Sequence, residues 1–402
     1  MKVKIVIGKN FGDEGKGLAT DYFAMDAVKH GSSAICVRHN GGAQAGHTVE
    51  LRDKRFVFSQ LTSASFRDIA TYWADSFMPD LYKLSSEAES FGKLHGKIPD
   101  IFASGKCRCT YIGDVLINML LETKRGKDRH GSCGMGINEA AVRSVGFPLY
   151  LGEIKAMSAS ELYSRLRTIQ REYVPVRLEE LSIDINEAGE YGEMLNSVRV
   201  LYNAAEDMCR NTEYVSIIEQ EQLRNYDEII FEGAQGLLLD EFCTEYAPHL
   251  TSSRTGLFEP SRILGNLFSE EEVIDIETVY VTRSYVTRHG AGPLPNESVI
   301  AGAMNDKTNV YNQWQGQLRT ALHGDIHDFM HAVRGDIEEA DICADISLFI
   351  THLNESGNCI MTHCGNIPVS QFCDSADIRS FFKRIYLSGS PFAEDTVSQY
   401  MK

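Results

Sequence analysis

The sequence predicts an α/β protein built on a large, mostly parallel central sheet with flanking helices and a helical insertion. Three observations predict it. An apolar run through Val3, Ile5 and Ile7 leads into a glycine-rich loop and then a helical stretch. The next strand, ending near Val37, leads into a second loop of small residues. Three later apolar runs, 228–231, 279–282 and 346–350, have the length and β-branched content of further buried strands. Strand–loop–helix–strand is the grammar of a parallel sheet that binds ligands at the carboxyl ends of its strands.

Taken in order, the first strand ends at Ile7, the glycine-rich loop covers 8–17, and a helix follows Leu18. The second loop spans 40–48. Residues 150–228 change character: they are charged and rich in Leu, Glu and Arg, with Leu162, Leu166 and Ile169 at helical spacing. This stretch is expected to form a helical subdomain within a single domain spanning 1–402. No repeat, low-complexity tract or linker interrupts the chain.

Composition narrows the function. With 39 Lys+Arg against 56 Asp+Glu, the formal charge of the 402 residues is −17. That argues against partners such as nucleic acid or an anionic membrane, which call for a basic surface. A small phosphorylated substrate stays open, because a few placed cations can dominate one pocket. No apolar run approaches the ~20 residues of a membrane span. The opening segment reads as a strand rather than a signal peptide, so the expected location is cytoplasmic, in the host if the gene is viral. Ten cysteines lie scattered, with only Cys107 and Cys109 close together, which is a poor zinc pattern. They are expected to be reduced thiols, mostly in the core.

The loop Gly8-Lys9-Asn10-Phe11-Gly12-Asp13-Glu14-Gly15-Lys16-Gly17 carries the first chemical signal. Its glycines let backbone N–H groups approach an anion, and it opens a helix whose N-terminus favours phosphate. It departs from the Walker A pattern, since Asn10 and Gly17 stand where that pattern needs Gly and Ser or Thr. Its acidic pair would disturb a pure phosphate cradle, whereas Asp13 suits a magnesium ligand or a general base. The second loop, Asn40-Gly41-Gly42-Ala43-Gln44-Ala45-Gly46-His47-Thr48, ends on a titratable His47. Neighbouring strand ends would bring the two loops to one active site.

These two motifs, with Phe231-Glu232-Gly233-Ala234-Gln235-Gly236, Thr251-Ser252-Ser253, Thr287-Arg288-His289-Gly290-Ala291-Gly292-Pro293-Leu294-Pro295 and a weaker Ser388-Gly389-Ser390-Pro391, resemble the adenylosuccinate synthetase family across nearly the whole chain. The resemblance implies that family's α/β fold, related to P-loop NTPases. It also implies a C–N ligase that phosphorylates the 6-oxygen of a purine nucleotide and displaces the phosphate with L-aspartate. It places Asp13, Lys16, His47 and Gln235 in catalysis, with Mg2+ held by Asp13 and the Gly46 carbonyl. It assigns Asn10, Gln44, Ser132, Cys133, Leu239, Thr251 and Gly290 to the acceptor nucleotide, together with Gln235. Gly12, Gly15, Gly17, Thr48, His352, Asn354, Ser390 and Pro391 fall to the donor, with Lys16, Gly46 and His47. Gln315, Gly316, Gln317 and Arg319 fall to the aspartate. A homodimer is implied too, with Arg143 reaching the partner's nucleotide.

Departures from the family refine the expectation. The guanine-reading Thr-Lys-Leu-Asp appears here as Thr351-His352-Leu353-Asn354. A carboxylate accepts from both guanine N1–H and its 2-amino group; an amide cannot, but suits adenine, which shows an acceptor beside a donor. ATP or dATP is therefore the expected donor. In Trp314-Gln315-Gly316-Gln317-Leu318-Arg319, Arg319 keeps one family arginine, able to clamp a carboxylate, while Gln317 replaces the other, which lies near the acceptor's ribose. The stretch Thr308-Asn309-Val310-Tyr311-Asn312-Gln313-Trp314-Gln315-Gly316 and the segment His130-Gly131-Ser132-Cys133-Gly134 resemble a phage-associated branch that converts dGMP to 2-amino-2′-deoxyadenylosuccinate, toward 2-aminoadenine DNA. Asp13 is retained where many members of that branch carry Ser. The expected acceptor is dGMP, with IMP as the alternative and a catalytically silent nucleotide-binding relative as a second one.

Overall fold

Alternate residues of the first strand, β1 (Lys2–Gly8), pack into separate apolar clusters on the two sides of one sheet. Val3, Ile5 and Ile7 join one cluster and Val6 the other, the pattern of a parallel strand covered on both faces. A computed structural model describes residues 1–185, 189–303, 314–340 and 342–401. Around β1 lie β2 (Ala34–Arg38), β5 (Ala70–Trp73), β6 (Ile101–Ala103) and β7 (Val215–Ile217) on one flank, reached through β8 (Glu228–Glu232). On the other flank lie β9 (Asp275–Arg283), β12 (Asp345–Thr351), β15 (Arg384–Leu387) and β16 (Val397–Tyr400). The 10-stranded order is β16-β15-β12-β9-β1-β8-β2-β5-β6-β7. All neighbours run parallel except β15 and β16. Three hairpins stand outside it: β3 (His47–Glu50) with β4 (Arg55–Phe58), β10 (Val286–Arg288) with β11 (Arg319–Ala321), and β13 (Cys359–Thr362) with β14 (Gly365–Pro368).

The expected strands are all present, each extended by a residue or more. The helix after the first loop, Lys16–Lys29, lays Leu18, Ala19, Phe23 and Ala24 on the Val6 face. Helices fill Leu151–Ala156, Ala159–Glu172, Val174–Glu180, Gly189–Asn196 and Val198–Asn211. Leu162, Leu166 and Ile169 are fully packed, as their spacing requires. Ser158 and Glu161 begin their helix with a reciprocal cap: the Ser158 hydroxyl accepts from the Glu161 N–H, and the Glu161 carboxylate accepts from the Ser158 N–H. The helical expectation fails at Val215–Ile217, where two β-branched residues add an edge strand instead. The cysteine expectation holds in part. All ten thiols are free, but only Cys36, Cys107, Cys109 and Cys373 are buried. Among the described residues no helix is long and apolar enough to cross a membrane.

One buried carboxylate ties the helix Ile326–Glu339 to the sheet. Asp336 accepts from Tyr280 Oη at 2.8 Å and from the Leu257 N–H at 2.9 Å. Burial pushes its pKa up to about 6, and these two donors only partly oppose the rise. The folded state therefore binds a proton between about pH 4 and 6 that the unfolded chain has released, so stability falls as pH rises through that window. The expected loss is roughly 3 kcal/mol, two pKa units. Urea unfolding at pH 4 to 7 is expected to show this decline in the native protein and a flatter profile in Asp336→Asn.

Candidate active site

A cavity of about 900 Å³ opens at the carboxyl ends of β1, β2, β8, β9 and β12. The first loop forms its floor. Gly15 caps the helix Lys16–Lys29 at φ 97°, a conformation that glycine alone adopts freely, and a Cβ there would come within 2.9 Å of Thr351. Inside the loop the buried Glu14 carboxylate accepts from the N–H groups of Asn10 and Gly12 at 3.1 and 2.8 Å. It also meets Lys16 Nζ at 2.5 Å. Hydroxyls from two strands hold the loop backbone from outside: Thr351 Oγ1 donates to the Glu14 carbonyl at 2.7 Å and Thr287 Oγ1 to the Gly12 carbonyl at 3.1 Å. Asp13, Gln235 and His352 are all held at positive φ, 59°, 64° and 57°, the kind of backbone strain that collects at functional sites.

The second loop differs from expectation at its end, because His47 begins the β3–β4 hairpin. Behind its ring, β8 ends on Glu232, fully buried and in register with Arg38 on β2. Glu232 accepts from His47 Nδ1 at 2.8 Å and from the Ser63 N–H at 3.0 Å, and also takes the Ser63 hydroxyl; Arg38 stands 3.8 Å away. Burial works to raise the Glu232 pKa, but His47, Arg38 and Ser63 outweigh it and hold the carboxylate well below the usual range. Burial lowers the pKa of His47 despite Glu232 beside it. The resting ring is therefore neutral, with its proton on Nδ1 toward Glu232 and Nε2 left as the unprotonated nitrogen.

Most residues expected at the site line this one cavity. Asp13, Lys16, His47 and Gln235 are there. So are Gln44, Ser132, Cys133, Leu239 and Thr251, and Gln315 from the expected aspartate segment. Gly12, Gly15, Gly17, Gly46 and Thr48 share its wall with His352, Asn354, Ser390 and Pro391.

Six others do not line it. Asn10 is turned inward, where Thr282 Oγ1 donates to its Oδ1 at 2.9 Å. Gly290 packs against Gly131 while its neighbours His289 and Ala291 line the wall. Gly316 and Gln317 lie off the cavity, and Gln317 is exposed. Arg319 is already engaged by Glu297 and by the carbonyls of Gly290 and Gly292, at 3.1 and 2.8 Å. Arg143 is the plainest departure from expectation: fully buried, it forks onto both Asp114 oxygens at 2.8 Å and donates to the Cys109 and Phe147 carbonyls. The 308–313 part of the phage-like segment lies outside the described residues.

Sequence reasoning missed the supporting charges. Glu14, Arg38 and Glu232 organise the two loops, and Arg283, Arg288 and His289 line the cavity. A glutamate closing the apolar run Ile229-Ile230-Phe231 was the available signal for Glu232.

The family model described as adenylosuccinate synthetase matches residues 5–334. Curated relatives bearing that name include one from Thermoplasma volcanium, 27% identical over 87% of this chain and 77% of its own. Another, from Halothermothrix orenii, is 27% identical over 95% and 86%. The fully ligated adenylosuccinate synthetase of Plasmodium falciparum superposes with a TM-score of 0.71 at 18% identity, covering 99% of both chains. The cyanophage S-2L succinoaminodeoxyadenylate synthetase, solved bound to dGMP and to dATP as energy donor, superposes at 0.61 with 13% identity, covering 100% of this chain and 95% of its own. Both structures share the fold.

The buried Arg143–Asp114 pair has a measurable consequence. Arg143→Ala strands the buried Asp114 carboxylate and is expected to lower unfolding stability by about 3–5 kcal/mol. A change within about 0.5 kcal/mol, typical of a surface arginine, would contradict the buried pairing.

Proposed function

Because the chain belongs to the adenylosuccinate synthetase family of C–N ligases, we propose that it joins L-aspartate to carbon 6 of a purine nucleotide through a 6-phosphoryl intermediate, with ATP or dATP as donor and dGMP as acceptor. The observation that carries this reading is the convergence of Asp13, Lys16, His47 and Gln235 on one cavity that also holds Asn354 and Thr251.

A 6-oxopurine is a weak nucleophile while N1 keeps its proton. Asp13 takes that proton, O6 gains charge and attacks the γ-phosphorus, and the nucleoside diphosphate leaves. The aspartate amine then attacks C6, and the C6–O bond breaks with phosphate departing. Loop N–H groups and Lys16 stabilise the transferring group, though Glu14 offsets part of the lysine's charge. His47 donates to that group as an imidazolium, its second proton drawn onto Nε2 from solvent as charge gathers on the phosphoryl oxygens, and the Glu232 carboxylate behind it steadies the cation. Gln235 reads the substituted edge of the base.

Magnesium fits the groups present. Asp13 offers a carboxylate that is 36% exposed, and Gly46 lines the same cavity with a backbone carbonyl; both are hard oxygen donors. When bound, the ion would neutralise charge on the donor's phosphates. The homodimer rests on family resemblance alone, since Arg143 serves the interior.

Asn354 on the cavity wall supports an adenine donor. Gln317 lies off the cavity, so the deoxyribonucleotide acceptor is supported instead by the phage-like segment His130-Gly131-Ser132-Cys133, which lines it. IMP is the second reading, favoured by the retained Asp13 and by the curated relatives' names.

Phosphate release with ATP, Mg2+ and L-aspartate is expected to run faster with dGMP than with IMP; faster release with IMP would overturn the acceptor assignment. Asn354→Asp is expected to shift the GTP/ATP ratio of kcat/KM about 10- to 100-fold toward GTP, the worth of a charge-assisted hydrogen bond. An unchanged ratio would remove Asn354 from base selection.

A further inference from the structure

We infer that His289 is a positioning residue for Asp13, its ring fixing the carboxylate in the orientation that takes the acceptor's proton. The inference rests on the reading of Asp13 as the base. The hairpin strand β10 runs beside the first loop: Phe11 forms a bridge with Arg288, whose guanidinium lies 4.5 Å over the Phe11 ring. Thr287 Oγ1 holds the Gly12 carbonyl at 3.1 Å, and Arg283 Nε, at the end of β9, holds the Asp13 carbonyl at 2.6 Å. These contacts fix the backbone of residues 11–13 and leave the Asp13 side chain free to rotate.

His289 follows β10 directly. Its Nε2 lies 3.3 Å from Asp13 Oδ2, and no other described side chain pairs with that carboxylate. The contact is an ion pair at this distance rather than a closed hydrogen bond; a carboxylate only accepts, so closing it with substrate bound puts the proton on Nε2. The ring's other nitrogen, Nδ1, is buried without a partner, which leaves Asp13 as the contact that orients the ring. With one lone pair of Oδ2 met by His289, the carboxylate keeps Oδ1 for the acceptor's proton and a further lone pair for the magnesium ion. Reacting groups misplaced by 1 Å can lose about 10²-fold in rate. A donor at Oδ2 is the device in this site that removes the rotation.

The test compares His289→Val, which removes the donor, with His289→Gln, whose Nε2 replaces it, alongside Asp13→Asn. The expected result is a 10- to 100-fold fall in kcat for His289→Val with acceptor KM and calorimetric acceptor affinity unchanged, and recovery to within about fivefold of the native rate in His289→Gln. Independently of turnover, 15N NMR of the ligand-free protein is expected to show His289 as the Nε2–H tautomer, with a shift that moves in Asp13→Asn. Native kcat in His289→Val, beside an inactive Asp13→Asn, would overturn the role of His289 alone. Equal loss of acceptor affinity in both His289 variants would also overturn it, by showing a merely structural part. Retained activity in Asp13→Asn would overturn the base assignment beneath it.

Discussion

A carboxylate with no access to water constrains the whole site. Glu232 ends a buried strand, and an ion so placed costs several kcal/mol unless its oxygens are met. Arg38 comes from the neighbouring strand, Ser63 from the segment after the first hairpin, and His47 from the hairpin itself. Satisfying Glu232 therefore fixes where the hairpin leaves the sheet and which nitrogen of His47 is left over. The apolar core alone does not set that geometry, since hydrophobic burial has no direction.

The first loop repeats the device at a smaller scale. Glu14 fills the interior of a glycine-rich turn and takes two backbone N–H groups and the Lys16 ammonium. Its presence separates the roles of two adjacent acids: Glu14 folds the loop, and Asp13, held at positive φ, faces the cavity. Arg55, Arg125, Arg283 and Arg288 line the cavity with Lys16, against the acids Asp13, Glu50, Glu139 and Glu355, so the cavity is less acidic than a chain of net charge −17 is as a whole.

Much of this was legible in the residues. The period-2 pattern of β1 and the spacing of Leu162, Leu166 and Ile169 reported real packing, and the glycine-rich loops marked real strand ends. What stayed hidden was pairing between distant residues. Arg143 follows a motif-like loop, yet Asp114, 29 residues earlier in the chain, claims its fork. Arg319 could clamp a substrate carboxylate, but here a carboxylate of the chain itself, Glu297, holds it. Neither partner carries a local signature, because an ion pair across a fold depends on topology rather than spacing. His289 was quoted inside a glycine-rich motif without a role for the same reason. The bridge between Phe11 and Arg288, with the Thr287 hydroxyl on the Gly12 carbonyl, brings it to Asp13.

The claim on which everything else depends is that this cavity phosphorylates the acceptor's 6-oxygen. Acceptor nucleotide labelled with 18O at that position, turned over with donor, Mg2+ and L-aspartate, tests it directly. The account predicts that the label appears in the released phosphate, one atom per product formed. Unlabelled phosphate would contradict it, because the phosphoryl group would then have gone to water rather than to the purine.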